Sequence, residues 1–251
     1  MKNILFVLLL FSAYTALNGQ SPEVDEHTYQ AYLGGKDLSA TKTDWKNIVA
    51  LRKKESDSKP NDKNSKYRLA LAQFGLLSAT MRDQDEDLFD DYIDQTEDNL
   101  EAIIKQYKDW GEPKALLSSV YGLKLAYSPW KGMYLGPKSA NLMEKARKQS
   151  PSSPLVWKLY GNSKFFTPEM WGGDLKEAIQ AYEKAIELYK TDTGSTEFNW
   201  FYLDTYAFLG QAYNKNEERS KALATYERAL TIEPGFYWVK KVLMPIVISK
   251  K

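Results

Sequence analysis

The 251-residue chain has no cysteine and a single histidine, His27. Without cysteine there is no thiol nucleophile, disulfide or Cys-ligated zinc, and no acylated cysteine of the kind that anchors a bacterial lipoprotein. One histidine excludes mechanisms built on a histidine pair. His27 stands beside Asp25 and Glu26, but it lacks the second His or the Cys that a transition-metal site calls for. Phosphate-binding glycine loops, H-E-x-x-H and G-x-S-x-G are also missing. No catalytic residue, cofactor or metal is expected. Charge of one sign is lacking too: 34 basic side chains face 33 acidic ones, for a net charge of +1. Such a balance draws the chain to neither nucleic acid nor anionic lipid, so nucleic acid is not an expected partner. Fourteen glycines and ten prolines are too few for a fibrous chain, and 43% hydrophobic residues are too many for a disordered one.

Residues 1–19 have the form of a signal peptide. Lys2 supplies the positive start, residues 4–13 are apolar, and small residues follow at Ala16 and Gly19. An apolar run of about ten residues is a signal-peptide core and is short of the roughly 20 that span a bilayer. No later stretch is long and apolar enough to cross a membrane. The chain is expected to be exported, to the periplasm or beyond, with cleavage after Gly19 and no integral membrane segment in the mature form. Loss of Lys2 leaves basic and acidic side chains equal in number.

Internal repetition organises the rest, as one array over residues 20–251. In the clearest unit, at 203–236, Tyr206, Leu209, Gly210 and Tyr213 are followed by Ala222, Tyr226, Ala229 and Pro234. Small residues at 210 and 222 allow two helices to cross closely. Aromatics seven apart share a helix face, and Pro234 stops the second helix. A second unit at 154–190 carries Trp157, Tyr160 and Gly161, then Ala178, Tyr182 and Ala185. Its second helix opens on Asp174 with Glu177 three later, a capping-box spacing. A shift of 39 residues exposes another copy at 113–151, placing Tyr121-Gly122 on Tyr160-Gly161 and Pro129 on Pro168. Both of these units hold a turn five residues longer than that of 203–236. A fainter pair spans 64–110, and 237–248 reads as a helix covering the last pair, kinked or ended near Pro245. Loops are expected at 34–35, 56–66 and 191–195.

The eight positions from Tyr206 to Pro234 resemble the tetratricopeptide repeat at that family's own spacing. The resemblance implies an all-α fold, a short solenoid of antiparallel helix pairs, here with enlarged turns inside two repeats. Its members are generally interaction scaffolds that hold a protein or peptide, which makes a protein or peptide the expected partner. The turn Thr167-Pro168-Glu169-Met170-Trp171-Gly172-Gly173-Asp174 resembles exported bacterial repeat proteins of unassigned function. There is a weaker resemblance to periplasmic repeat proteins that associate with solute-binding proteins of TRAP-type transporters. It implies the alternative, a solute-binding or transporter-associated accessory.

The enlarged turns hold the candidate contact residues: Trp130, Met133 and Tyr134 in one, Phe166, Met170 and Trp171 in the other. Aromatics flanked by Gly and Pro on loops can grip a ligand or a partner. They can equally pack one turn on its neighbour as a plug, and packing is the expected role. Residues 83–98 hold nine acidic side chains and no basic one. Asp83, Asp85 and Asp87 begin like a calcium loop, yet Leu88 stands where such a loop needs glycine. Leu88, Phe89, Tyr92 and Ile93 keep helical spacing, so the acids are expected on a solvated helix face.

Overall fold

The computed structural model describes residues 22–34, 38–191 and 196–249; the expected signal peptide, Gly35 and most of the 191–195 loop lie outside them. Among the described residues there are eleven α-helices and no strand. They are α1 (Pro22–Leu33), α2 (Leu38–Ser58), α3 (Lys63–Thr80), α4 (Glu86–Gln106), α5 (Glu112–Tyr127), α6 (Gly132–Gln149), α7 (Pro154–Phe166), α8 (Leu175–Thr191), α9 (Trp200–Lys215), α10 (Arg219–Ile232) and α11 (Met244–Ser249). The loop expected at 56–66 is shorter than its composition suggested. Helix α2 runs to Ser58, and the Asp62 carboxylate already caps α3 at the amides of Asn64 and Ser65.

Helices α3/α4, α5/α6, α7/α8 and α9/α10 form antiparallel pairs. The first members, α3, α5, α7 and α9, pack on one another in sequence, which sets them on the inner side of the curve and their partners on the outer side. Glycine at the crossings explains the closeness of two pairs. A side chain on Gly161 would run into the Tyr182 ring, and one on Gly210 into the Tyr226 ring, while Ala222 is fully buried. Gly122, at the matching place of the preceding pair, meets nothing and is exposed, because Met143 stands there where the other pairs have tyrosine. Gly75 breaks the pattern, lying against Trp45 of the preceding helix α2.

The N-terminal helices do not simply extend the stack. Helix α1 reaches the last pair, where the Tyr32 ring lies 5.2 Å from Trp200 and 5.6 Å from Phe236. Trp45 of α2 and Phe74 of α3 meet the same Trp200 at 5.7 and 6.5 Å. The Tyr32 hydroxyl donates to Asp204 at 2.7 Å, and Asp204 accepts the Lys158 ammonium at 2.5 Å, with Asp204 and Lys158 both buried. Rings and a buried ion pair thus close the inner side of the curve.

At the other end, Phe236, Val239, Leu243 and Val247 bury one face against α10. Residues Val239–Leu243 form a π-helical stretch immediately ahead of Pro245. Proline brings no amide hydrogen to the ladder, and the widened turns absorb that gap without ending the helix.

Candidate functional site

The two enlarged turns are tight, internally bonded loops. In the first, Ser128 ends α5 and a 3-10 turn, Pro129–Lys131, leads into α6; the Lys131 amide donates to the Ser128 carbonyl at 3.1 Å. In the second, the amides of Trp171 and Gly173 both donate to the Pro168 carbonyl, at 2.9 and 3.1 Å. Gly172 has φ +93°, a left-handed value that costs other residues energy. A Cβ on Gly173 would collide with the Thr167 carbonyl, so the Gly-Gly pair is what lets this turn close. Lys164 ties the tip down, donating to the Gly172 carbonyl at 3.1 Å and pairing with Glu177 at 2.8 Å.

Of the six residues expected in the turns, Trp130, Met170 and Trp171 lie there, whereas Met133 and Tyr134 open α6 and Phe166 ends α7; all six are out in solvent. Trp130 is 79% exposed, Met133 84%, Tyr134 58%, Phe166 62%, Met170 84% and Trp171 66%. The expected packing is therefore corrected, since neither tryptophan is buried against a helix. Packing falls to half-buried Phe165, edge-on to Phe208 at 6.2 Å, and to one edge of Phe166, which meets the same ring at 5.5 Å. Both turns join an inner helix to its outer partner, which puts them on one edge of the array. The Tyr127 hydroxyl reaches the Thr80 carbonyl at 3.0 Å, and Lys215 lies over the Phe165 ring, so the ends of α3, α5, α7 and α9 share that edge. The outer two connections on the edge, at 81–85 and 216–218, carry no aromatic residue.

Two grooves open on the outer side of the array, and neither tryptophan lines them. One, of about 650 Å³, lies between α4 and α6 over Leu117 and Tyr121 of α5. The other, of about 570 Å³, lies between α8 and α10 over Tyr206, Leu209 and Tyr213 of α9. Between them the equivalent space over α7 is filled by Arg147, whose guanidinium stacks on Tyr160 at 3.9 Å and Trp157 at 4.9 Å. The first groove had no sequence signal beyond helical periodicity, because its walls come from three helices. Burial, with the charges of Glu101 and Glu97, pushes the Tyr121 hydroxyl up to about 12.

The acidic segment forms the exposed flank of α4. Asp83 and Asp85 are both held by Lys42 of α2, at 2.7 and 2.5 Å, and the Asp85 carboxylate also caps the Leu88 amide. Asp174 caps the Glu177 amide at 2.9 Å, but the Glu177 side chain turns to Tyr160 and Lys164, leaving the capping box half made. Among the described residues no group of three His, Cys, Asp or Glu is placed to hold a metal, and no helix is long and apolar enough to cross a membrane.

Stacked antiparallel pairs whose first helices line the inner side define an α-helical repeat protein. Residues 172–192 and 203–236 match the family model of the tetratricopeptide repeat, and the helix pairs stack as in solved tetratricopeptide-repeat proteins. A thermophilic tetratricopeptide-repeat protein of Thermus thermophilus superposes with a TM-score of 0.58 at 13% identity, over 82% of this chain and 91% of that one. The HusA haemophore of Porphyromonas gingivalis superposes with a TM-score of 0.59 at 19% identity, over 77% of this chain and 92% of the other. These likenesses are of fold. Comparison with curated protein sequences finds no match.

Proposed function

We propose that the protein is a non-catalytic, exported scaffold that binds a protein or peptide partner on the edge formed by its two enlarged turns. The observation that carries this reading is the exposure of six large apolar side chains on two hydrogen-bonded turns and the helix ends that flank them. Exposed apolar patches rimmed by polar residues mark interaction surfaces, and Trp and Met are favoured there. The tetratricopeptide fold suggests a protein-interaction scaffold. Its inner side is closed by α1, Trp45 and Phe74, which directs a partner outward. The apolar run at 4–13 supports export, and the intact mass of protein from its host tests it: loss of residues 1–19 is expected, and a retained Met1 overturns it.

Photocrosslinking tests the contact surface. A photoreactive residue at position 130 or 171 is expected to trap one partner of discrete mass, whereas one at exposed Leu51 on α2 is not. Equal yields from all three positions would overturn the assignment.

A second reading, a solute-binding accessory, draws on the thioethers of Met133 and Met170 beside the exposed rings, and on the likeness to a protein named a haemophore. It requires a ring-bearing solute. Titration with haemin separates the two: a saturable absorbance change lost in Met133→Ala/Met170→Ala favours the solute, and a flat titration dismisses haem.

A further inference from the structure

The outer face beside the first turn combines anchors, a groove and charge on adjoining elements. Tyr134, Lys138 and Asn141 share one side of α6 by helical spacing, and Lys138 and Asn141 line the 650 Å³ groove, so exposed Tyr134 stands one turn from the groove on the side of the turn that carries Trp130. Leu117 and Tyr121 floor that groove, with Ile104, Pro137 and Leu142 on its apolar walls. Along its α4 rim, Asp87, Asp90, Asp94 and Asp98 recur at intervals of three and four, with Asp91 beside Asp90, and the row ends on Glu101, which lines the groove.

Contacts fix this row against α5. Phe89 lies 4.4 Å from Tyr127, Lys124 pairs with Glu97 at 2.6 Å and reaches Asp94 at 3.9 Å, and the Tyr121 hydroxyl stands 3.5 Å from Glu101. Asp87, Asp90, Asp91 and Asp98 are exposed and make no ion pair among the described residues. Lys105 and Lys138 also border the groove, the latter with its ammonium 4.3 Å above the Tyr134 ring. The negative charge therefore runs along one rim only, from the turn down to the groove.

We infer that this face seats an amphipathic helical segment of a partner, apolar side on Trp130 and into the groove, basic flank along α4. The inference rests on the scaffold reading and supplies its partner chemistry. An apolar trough takes the stripe of a helix, and a row of like charges along one wall orients it and speeds encounter. From Asp87 to Glu101 the row spans about 21 Å, the length of a segment of about 14 residues. An anionic bilayer is a poor occupant because the same carboxylates repel it.

The probes are labelled model helices of about 14 residues: a leucine–lysine amphipathic helix, its leucine–glutamate counterpart, and a lysine–serine peptide of equal charge without an apolar face. Fluorescence anisotropy with the full mature chain is expected to show saturable leucine–lysine binding that weakens with salt, and binding of the other two at least about tenfold poorer. Asp87→Asn/Asp90→Asn/Asp91→Asn, on a solvated face where the fold should survive, is expected to lower that affinity about tenfold and flatten its salt dependence. Trp130→Ala should lower it comparably, with circular dichroism unchanged. Equal binding of leucine–lysine and lysine–serine peptides, or an unaffected triple variant, would overturn the inference. No binding of the leucine–lysine helix while position 130 still crosslinks a partner would sink it too, and would leave the scaffold reading standing.

Discussion

Tyr32 on the first helix and Asp204 on the ninth are 172 residues apart in sequence, yet the tyrosine hydroxyl donates to the carboxylate at 2.7 Å. Asp204 also neutralises buried Lys158 at 2.5 Å. Removing the hydroxyl with Tyr32→Phe should cost about 1–3 kcal/mol, because an acceptor loses one partner but keeps the other. Asp204→Ala should cost more, about 3–5 kcal/mol, since it leaves an ammonium buried without a counter-charge. The double change Lys158→Met/Asp204→Leu should recover most of that loss. Urea unfolding of the four proteins checks the order; equal stability of Asp204→Ala and wild type would mean that the inner side is open in solution.

The glycines of successive repeats make a paired test. Gly210→Leu forces a side chain into the space of the Tyr226 ring and should lose about 1–3 kcal/mol or more. Gly122→Ala meets nothing within 4 Å and relieves a helix of a flexible residue, so it should gain about 0.5–1 kcal/mol. Thermal melts distinguish the two at once, and a loss in Gly122→Ala would show that the two units share a crossing geometry after all.

Alkaline pH should unfold the chain through its buried tyrosines. Burial raises the hydroxyls of Tyr32, Tyr67, Tyr182 and Tyr189 well above their ordinary value of 10.0, with the Asp204 charge adding at Tyr32 and Tyr182. A raised folded-state value means full stabilisation below pH 10 and progressive loss above it, as the unfolded chain releases protons that the folded one retains. On the acid side, hydrogen bonds from Lys164 and then Tyr160 lower Glu177, and Lys42 and the Leu88 amide lower Asp85. Their contribution is present above the ordinary carboxylate range and fades below it. Circular dichroism and tyrosine absorbance followed together should change in one step above pH 10. Tyrosine ionisation complete before any loss of helix would contradict the burial.

The repeats were legible because their signals are local. Gly210 and Tyr226, or Gly161 and Tyr182, sit within one helix pair and recur at a fixed spacing. The closure of the array was not, since Tyr32, Trp45 and Lys158 meet Trp200 and Asp204 from distant helices, and no periodicity links them. Lys158 between Trp157 and Leu159, and Asp204 inside the apolar run 200–209, were the available hints: charged residues at positions that helical spacing turns inward. The enlarged turns were legible as turns but not as exposed ones. Tryptophan and methionine serve a plug and a contact surface equally well, and only the hydrogen bonds of Pro168, Gly172 and Gly173 fix which way Met170 and Trp171 point.

The central claim is that Trp130 and Trp171 serve binding and not packing, and one doubly substituted protein tests it most directly. Trp130→Ala/Trp171→Ala should be measured for unfolding free energy and for retention of the partner trapped from position 130 or 171. Exposed rings predict a stability within about 0.5 kcal/mol of wild type and a partner lost. A loss of about 3–5 kcal/mol for each ring, as for buried aromatics, with the partner still held per folded molecule, would contradict the account.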